Sequence, residues 1–108
     1  MRRGDVVLVA APGDFGKVRP AVVVQSDLLN ARHGSVVVCL MTSDEADAPD
    51  FRVAIEPTPT TGLRKRSFVT VDKIMTFRVE RIRGRIGTIP AAILGEIDAR
   101  LVVILGVT

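Results

Sequence analysis

The chain has 108 residues, 47% of them hydrophobic, and a formal net charge of +3. This length predicts a single domain, residues 1–108, with a modest core, and the mild positive charge allows an anionic partner. No apolar run approaches the roughly 20 residues of a membrane helix and no signal-peptide pattern is visible, so we expect a cytoplasmic protein.

The first half of the chain predicts three strands built mainly from valine. Nearly continuous apolar runs predict strands over residues 5–11 and 18–25, and a turn cluster of Pro, Gly and Asp separates them. Residues 27–32 can form one or two helical turns. Residues 35–41 are the most apolar stretch and predict a central third strand.

The second half predicts further strands and a closing helix. The polar, acidic stretch 42–50 has the length of a mobile flap. Strands are predicted over residues 51–56, 67–71, 73–77 and 83–89. An apolar stripe predicts a helix over residues 90–105, which Pro90 opens and Gly106 ends. The pattern indicates a mainly β (α+β) fold, a small antiparallel β-barrel or curved sheet with a C-terminal α-helix.

Three common kinds of catalytic site are not supported by the residues. His33 and Cys39 are the only His and the only Cys, and neither has the neighbours of a metal site or a disulfide. We expect His33 in an ordinary loop and Cys39 as a small buried hydrophobe. No Gly-Lys-Ser/Thr phosphate loop is present, and nothing recruits His33 into a Ser-His-Asp triad. No metal or cofactor is therefore expected.

Arg19 is the first candidate for an anion ligand. Pro20 favours an extended conformation at Arg19 and places its guanidinium between a loop and a strand, where it can bind a phosphate through two hydrogen bonds. The alternative is a structural role, in which the same guanidinium donates hydrogen bonds to loop carbonyls or pairs with Asp14.

The order of several short motifs resembles that of a known toxin family. Arg3-Gly4-Asp5 precedes the first strand, Arg19-Pro20 opens the second, and Thr42-Ser43 follows the third. Together with the late strand Val69–Ile74 and the closing amphipathic helix, the pattern is similar to the MazF/PemK (Kid) toxins of type II toxin–antitoxin systems. The likeness covers nearly all of the chain and implies an SH3-like barrel of the CcdB/MazF superfamily.

The resemblance implies a catalytic activity and identifies two residues that would carry it out. Members of the family are metal-independent, sequence-specific endoribonucleases that cut single-stranded RNA and leave 2′,3′-cyclic phosphate and 5′-hydroxyl ends. The Arg of their Arg-Pro motif and the Thr after their third strand are catalytic, and these match Arg19 and Thr42. The chemistry agrees, since a guanidinium and a hydroxyl can stabilise the charge that develops on phosphorus.

Two departures from the family pattern leave the general base open. The first loop is shortened to Gly13–Lys17, where Asp14 is the only acidic candidate. The Kid branch uses an Arg-x-Asp pair in the late strand, and the matching positions here are Thr70 and Asp72, so the Arg is missing. Asp72 can serve as the base, or it can simply pair with a neighbouring Lys or Arg.

A second set of residues is expected to bind the RNA. The set comprises Ser43, Phe51, Arg64, Lys65, Arg66 and Thr70. Phe51 can stack on a base, although its place in an alternating strand also suits a core residue. The Arg64–Arg66 cluster can also be a solvated charged surface without a partner.

The resemblance also implies protein partners. These toxins form homodimers, and a small antitoxin neutralises them through a disordered, acidic C-terminal segment that folds onto the basic groove. The antitoxin complex also binds DNA.

Two other functions fit parts of the sequence. Val24–Leu29 resembles the Val-Gln-Ser-Asp-Ile-Ile segment of CcdB-like gyrase-poisoning toxins, which share the barrel and have no nuclease activity. Those proteins typically end in Trp-Gly-Ile and lack the Arg-Pro motif, whereas this chain ends at Gly106-Val107-Thr108 and has Arg19-Pro20. The third possibility is a degenerate, non-catalytic SH3-like binding module.

Overall fold

The computed structural model of the protein describes residues 1–13, 15–44 and 49–107. Within these ranges the chain forms six strands and two α-helices. The strands are β1 (Asp5–Ala10), β2 (Val18–Val23), β3 (Ser35–Thr42), β4 (Arg52–Ile55), β5 (Ser67–Arg78) and β6 (Gly84–Thr88). The helices are α1 (Asp27–Asn30) and α2 (Ala91–Leu105), close to their predicted positions. Residues 45–48 of the predicted flap lie outside the described residues.

All six strands belong to one antiparallel sheet that curls into a half-barrel. Its strand order is β4-β5-β3-β2-β1-β6, so the first strand of the chain pairs with the last. This arrangement confirms the predicted mainly β fold with a C-terminal helix.

The strands predicted over residues 67–71 and 73–77 are one strand, β5, and the prediction of two was wrong. Met41 pairs with Val69 and Cys39 pairs with Ile74, so the register between β3 and β5 shifts at this point. The extra residues of β5 form an irregularity in the ladder, which bends the strand without ending it.

Each face of the sheet carries its own apolar cluster. Val6, Val22, Cys39 and Met41 pack with Ile97 of α2 on one face. The opposite face is filled by a second cluster. Its members are Val7, Val9, Ala11, Ala21, Val23, Val36, Val38, Leu40 and Phe77. The nearly continuous valine runs arise because both faces of β1, β2 and β3 are buried.

Helix α2 has the ends that the sequence predicts. Pro90 precedes its first residue, where a missing N–H costs nothing. Gly106 adopts a left-handed conformation (φ 66°) and donates its N–H to the Val102 carbonyl, which terminates the helix. Ile97 is fully buried, whereas Leu105 at the end of the predicted stripe is exposed.

The N-terminal segment is tied to both helices. The Arg3 guanidinium forms a two-pronged ion pair with Asp98 of α2 and donates from Nε to the Val24 carbonyl at 3.0 Å. Asp27 of α1 accepts the Arg3 N–H at 2.7 Å. His33 is exposed just after α1, and Cys39 is buried, both as predicted.

Candidate functional site

A cavity of about 640 Å³ opens where β2 begins and β3 ends, beside the connector between β4 and β5. Its lining combines apolar residues of the sheet with charged residues of the loops. The lining residues are Leu8, Lys17, Val18, Arg19, Pro20, Met41, Thr42, Ser43, Asp44, Gly62, Leu63, Arg64, Lys65, Ser67 and Ile86. The cavity thus has an apolar floor and a polar, mostly basic rim.

Arg19 and Thr42 lie where β2 begins and β3 ends. Ala21 and Leu40 are the last paired residues of the two strands at this end, and Arg19 precedes Ala21 by two residues while Thr42 follows Leu40 by two. In an antiparallel pair the start of one strand lies beside the end of the other. Both residues are half-buried and line the cavity. The two predicted catalytic residues therefore share one site.

The Thr42 hydroxyl is oriented by the loop that follows it. Its Oγ1 accepts the backbone N–H of Asp44 at 3.2 Å. A hydroxyl that accepts one hydrogen bond can still donate its own proton, so Thr42 can act as a donor toward a ligand in the cavity.

The connector that carries Arg64 and Lys65 is packed closely against β6. A Cβ atom on Gly62 would lie 1.9 Å from the Ile86 carbonyl oxygen, and one on Gly87 would lie 2.3 Å from the backbone of Thr61. Thr61 is buried, and its hydroxyl donates to the Glu56 carbonyl at 2.9 Å. Two glycines thus let the backbones touch, which sets the wall that presents Arg64 and Lys65.

The remaining predicted RNA-binding residues divide between the cavity and its surroundings. Ser43 lines the cavity and is exposed. Arg66 does not line it. Its Nε lies 2.8 Å from a carboxylate oxygen of Glu56, and its guanidinium lies 5.1 Å from the ring centroid of Phe68. Phe51 is also outside the lining, with 42% of its surface exposed at the start of β4.

The structure corrects the placement of Thr70. Only 1% of its surface is exposed, and its hydroxyl donates to the Leu40 carbonyl at 2.6 Å inside the sheet. Thr70 therefore has no surface on which RNA can be bound. Thr70 pairs with Arg52 of β4 and lies in the part of β5 where the pairing with β3 is irregular, between Val69 and Ile74.

Of the two carboxylates predicted as possible bases, the structure describes only Asp72. Asp72 is exposed on β5 and does not line the cavity. Asp14 lies outside the described residues. The cavity instead contains Asp44 and Lys17, which the sequence interpretation did not single out. The sequence feature that could have identified both residues is their spacing, because Asp44 follows Thr42 by two residues and Lys17 precedes Arg19 by two.

The titratable groups with perturbed pKa values lie outside the cavity lining. Burial raises the pKa of the Cys39 thiol to about 12, so it stays protonated near neutral pH and is a poor nucleophile. The N–H of Arg3 and the side chain of Asn30 donate to Asp27 and lower the pKa of its carboxyl. The hydrogen bond to Asp98 raises the pKa of Arg3.

The described ranges contain neither a cluster of metal ligands nor a membrane-spanning helix. Among those residues, no three His, Cys, Asp or Glu side chains are grouped so as to hold a metal ion. Within the same part of the chain, no helix has the length and apolar character to cross a membrane.

The sequence matches a known family and several of its characterised members. Residues 2–105 match the family described as PemK-like, MazF-like toxin of type II toxin–antitoxin system. A probable endoribonuclease MazF from Mycolicibacterium smegmatis is 39% identical over 108 residues, which cover 99% of this chain and 98% of the relative. Endoribonuclease MazF9 from Mycobacterium tuberculosis is 34% identical over 110 residues, which cover 94% and 92%.

Solved structures share the same fold. An endoribonuclease in complex with its cognate antitoxin from a mycobacterial species has a TM-score of 0.83 at 22% identity, covering 100% of this chain and 97% of that chain. The MazF–MazE complex from Deinococcus radiodurans has a TM-score of 0.79 at 25% identity, covering 98% and 95%. The half-barrel and its helix are therefore common to this chain and to these proteins.

Proposed function

The chain belongs to the PemK-like, MazF-like toxin family of type II toxin–antitoxin systems, and on that premise we propose that it cleaves single-stranded RNA in the cavity of Arg19 and Thr42 without a metal ion. Endoribonuclease activity follows from the family and from the names of the curated relatives. The observation that carries the proposal is the shared cavity, whose lining includes both residues at the point where β2 begins and β3 ends.

The cavity can perform the reaction with few groups. The 2′-hydroxyl of the RNA attacks the adjacent phosphorus, and the bond to the 5′-oxygen breaks. Arg19 donates two hydrogen bonds to the phosphate oxygens, and the Thr42 hydroxyl donates a third as negative charge accumulates there. The products are a 2′,3′-cyclic phosphate and a 5′-hydroxyl.

The basic wall of the cavity suits the flanking nucleotides. Arg64 and Lys65 supply positive charge for phosphates on either side of the scissile one, and Ser43 adds a hydroxyl at the same rim. Phe51 is exposed enough to stack on an unpaired base beyond the cavity. Because the substrate is cellular RNA, we place the protein in the cytoplasm.

The experiment that tests this function uses purified protein and a defined single-stranded RNA in the presence of EDTA. We expect cleavage to persist and the product ends to be 2′,3′-cyclic phosphate and 5′-hydroxyl, because the substrate supplies its own nucleophile. Cleavage that requires a divalent ion would refute the mechanism. Absence of cleavage combined with blocked supercoiling by gyrase would instead establish the CcdB-like alternative.

The partner we propose is an antitoxin with an acidic segment that covers the basic wall. Complexes with an antitoxin are described for the structural relatives from a mycobacterial species and from Deinococcus radiodurans, the latter as MazF with MazE. Arg64 and Lys65 are exposed at the cavity, and Arg66 is exposed beside them, so all three can meet carboxylates in solution.

Combined replacement of Arg64, Lys65 and Arg66 by Ala should weaken antitoxin binding and flatten its dependence on salt, because fewer charges are then screened. Binding should be measured by calorimetry at two or more salt concentrations. Unchanged affinity and unchanged salt dependence would show that the acidic segment binds elsewhere.

A further inference from the structure

Asp44 is the one acidic residue that the described part of the chain contributes to the cavity lining. The same lining carries four cations, Lys17, Arg19, Arg64 and Lys65. A carboxylate repels a phosphodiester, so it opposes the binding that the four cations favour. Its position in this cavity is explained if it performs chemistry that a cation cannot.

The backbone of Asp44 is fixed on both sides. Its N–H donates to Thr42 Oγ1 at 3.2 Å, and its carbonyl accepts a hydrogen bond from Arg52 Nη1 at 3.1 Å. The side chain is exposed, and the ion pairs and side-chain hydrogen bonds found among the described residues do not engage its carboxylate. The backbone of Asp44 is therefore held beside Thr42, and from this position the carboxylate can reach a substrate bound there.

We propose that Asp44 is the general base of the cleavage reaction, an inference that rests on the proposed function. The carboxylate accepts the proton of the 2′-hydroxyl as that oxygen bonds to phosphorus. The bond from phosphorus to the 5′-oxygen breaks, and the leaving oxygen takes a proton from water. The hydroxide that remains takes the proton held by Asp44, which returns the carboxylate and the water to their starting forms. The step needs no oxidant, reductant or metal, and it requires only that Asp44 lies on the 2′-oxygen side of the phosphate that Arg19 and Thr42 hold.

The decisive variant is Asp44→Asn, which keeps the size of the side chain and removes its basicity. We expect kcat to fall about 10²–10³-fold, as loss of a general base commonly causes. KM should be unchanged or lower, because a charge that repels phosphate is removed. The acid limb of the wild-type pH–rate profile should disappear. Asp44→Glu should restore part of kcat and the acid limb, since it returns a carboxylate.

The matched control is Glu96→Gln, which removes one negative charge from an exposed position on α2. Its kcat, KM and pH–rate profile should equal those of the wild type. Thermal melting of all variants shows whether folding is intact. This control separates a local role of Asp44 from a change in net charge.

Three results would overturn the assignment in distinguishable ways. Full kcat and an intact acid limb in Asp44→Asn, with an active wild type, would show that Asp44 is not the base and would leave the proposed function standing. Unchanged kcat with altered preference among defined RNA sequences would make Asp44 a reader of a nucleobase instead. A wild type that cleaves no RNA would overturn both proposals.

Discussion

Arg19 and Thr42 are held by strands, although both lie at the edge of loops. Ala21, which follows Arg19 by two residues, and Leu40, which precedes Thr42 by two, are paired and buried, so the backbone next to each reactive side chain is part of the sheet. Side chains on such rigid elements are placed more accurately than side chains on loops. Substitution of Arg19 should therefore change the chemistry and leave the fold intact.

We expect Arg19→Ala to lower the rate of RNA cleavage by about 10²–10³-fold, because it removes a charged donor to the developing negative charge. Arg19→Lys should recover little of this loss, since a point charge cannot form the two-pronged contact. The rates should be measured under single-turnover conditions, with thermal melting to verify folding.

A suitable control for Arg19 is Arg32→Ala, which removes an exposed positive charge from the turn after α1. Its cleavage rate should stay at the wild-type level. Wild-type activity in Arg19→Ala would mean that Arg19 is only a structural ligand of its loop.

Residue patterns alone could locate Arg19 and Thr42, because each is marked by a short motif at a predicted strand end. They could not locate Asp44, whose relevance depends on the hydrogen bond that folds it back onto Thr42. They also misplaced Thr70, because a regular alternation does not show the shift in pairing that buries its hydroxyl against Leu40.

At the scale of elements, the connector between β4 and β5 depends on the contact of Gly62 with β6. Gly62 has a φ of +71°, and a Cβ atom there would overlap the backbone of Ile86. Both conditions disfavour any side chain at this position. The contact links the fold of the connector to the position of Arg64 and Lys65.

Gly62→Ala should destabilise the protein by roughly 2 kcal/mol or more, because backbone strain adds to the overlap. RNA binding should weaken as well, since the connector must move away from β6. Chemical denaturation and RNA titration measure the two effects. Gly34→Ala is the control, since a Cβ at Gly34 meets no atom within 4 Å. Equal stability of the two variants would contradict the role of the contact.

Most elements were predictable because their signals are local. The valine runs, Pro90 and Gly106 mark strands and a helix within a few residues of sequence. The packing of the connector is not local. It brings Gly62 against Ile86, although the whole of β5 lies between these two residues in the sequence. The sequence accordingly showed a Pro- and Thr-rich linker and gave no sign that it forms a cavity wall.

At the scale of the whole molecule, several exposed apolar side chains lie on the two α-helices and just after α2. The valine runs of β1, β2 and β3 are mostly buried within one chain, so they offer little apolar surface to a partner. Leu28 of α1, Val103 and Leu105 of α2, and Val107 are exposed instead. Exposed apolar residues grouped on a small domain are typical of a protein–protein contact.

We expect the protein to form a homodimer at micromolar concentration, as the family resemblance implies, because association covers apolar surface that one chain leaves exposed. Sedimentation velocity should show a single species with twice the mass of one chain. A species of monomer mass over the whole concentration range would exclude the dimer.

The pairing of β1 with β6 has a consequence for how the protein folds during its synthesis on the ribosome. β1 is synthesised well before β6, so its outer edge stays open until residues 84–88 have emerged, and Arg3 meets Asp98 later still. Contacts between such distant parts of a chain form slowly, because a long loop must close first. A nascent chain therefore cannot close this edge of its sheet until β6 has left the ribosome, and the ion pair that ties the N-terminal segment to α2 forms only when α2 has followed.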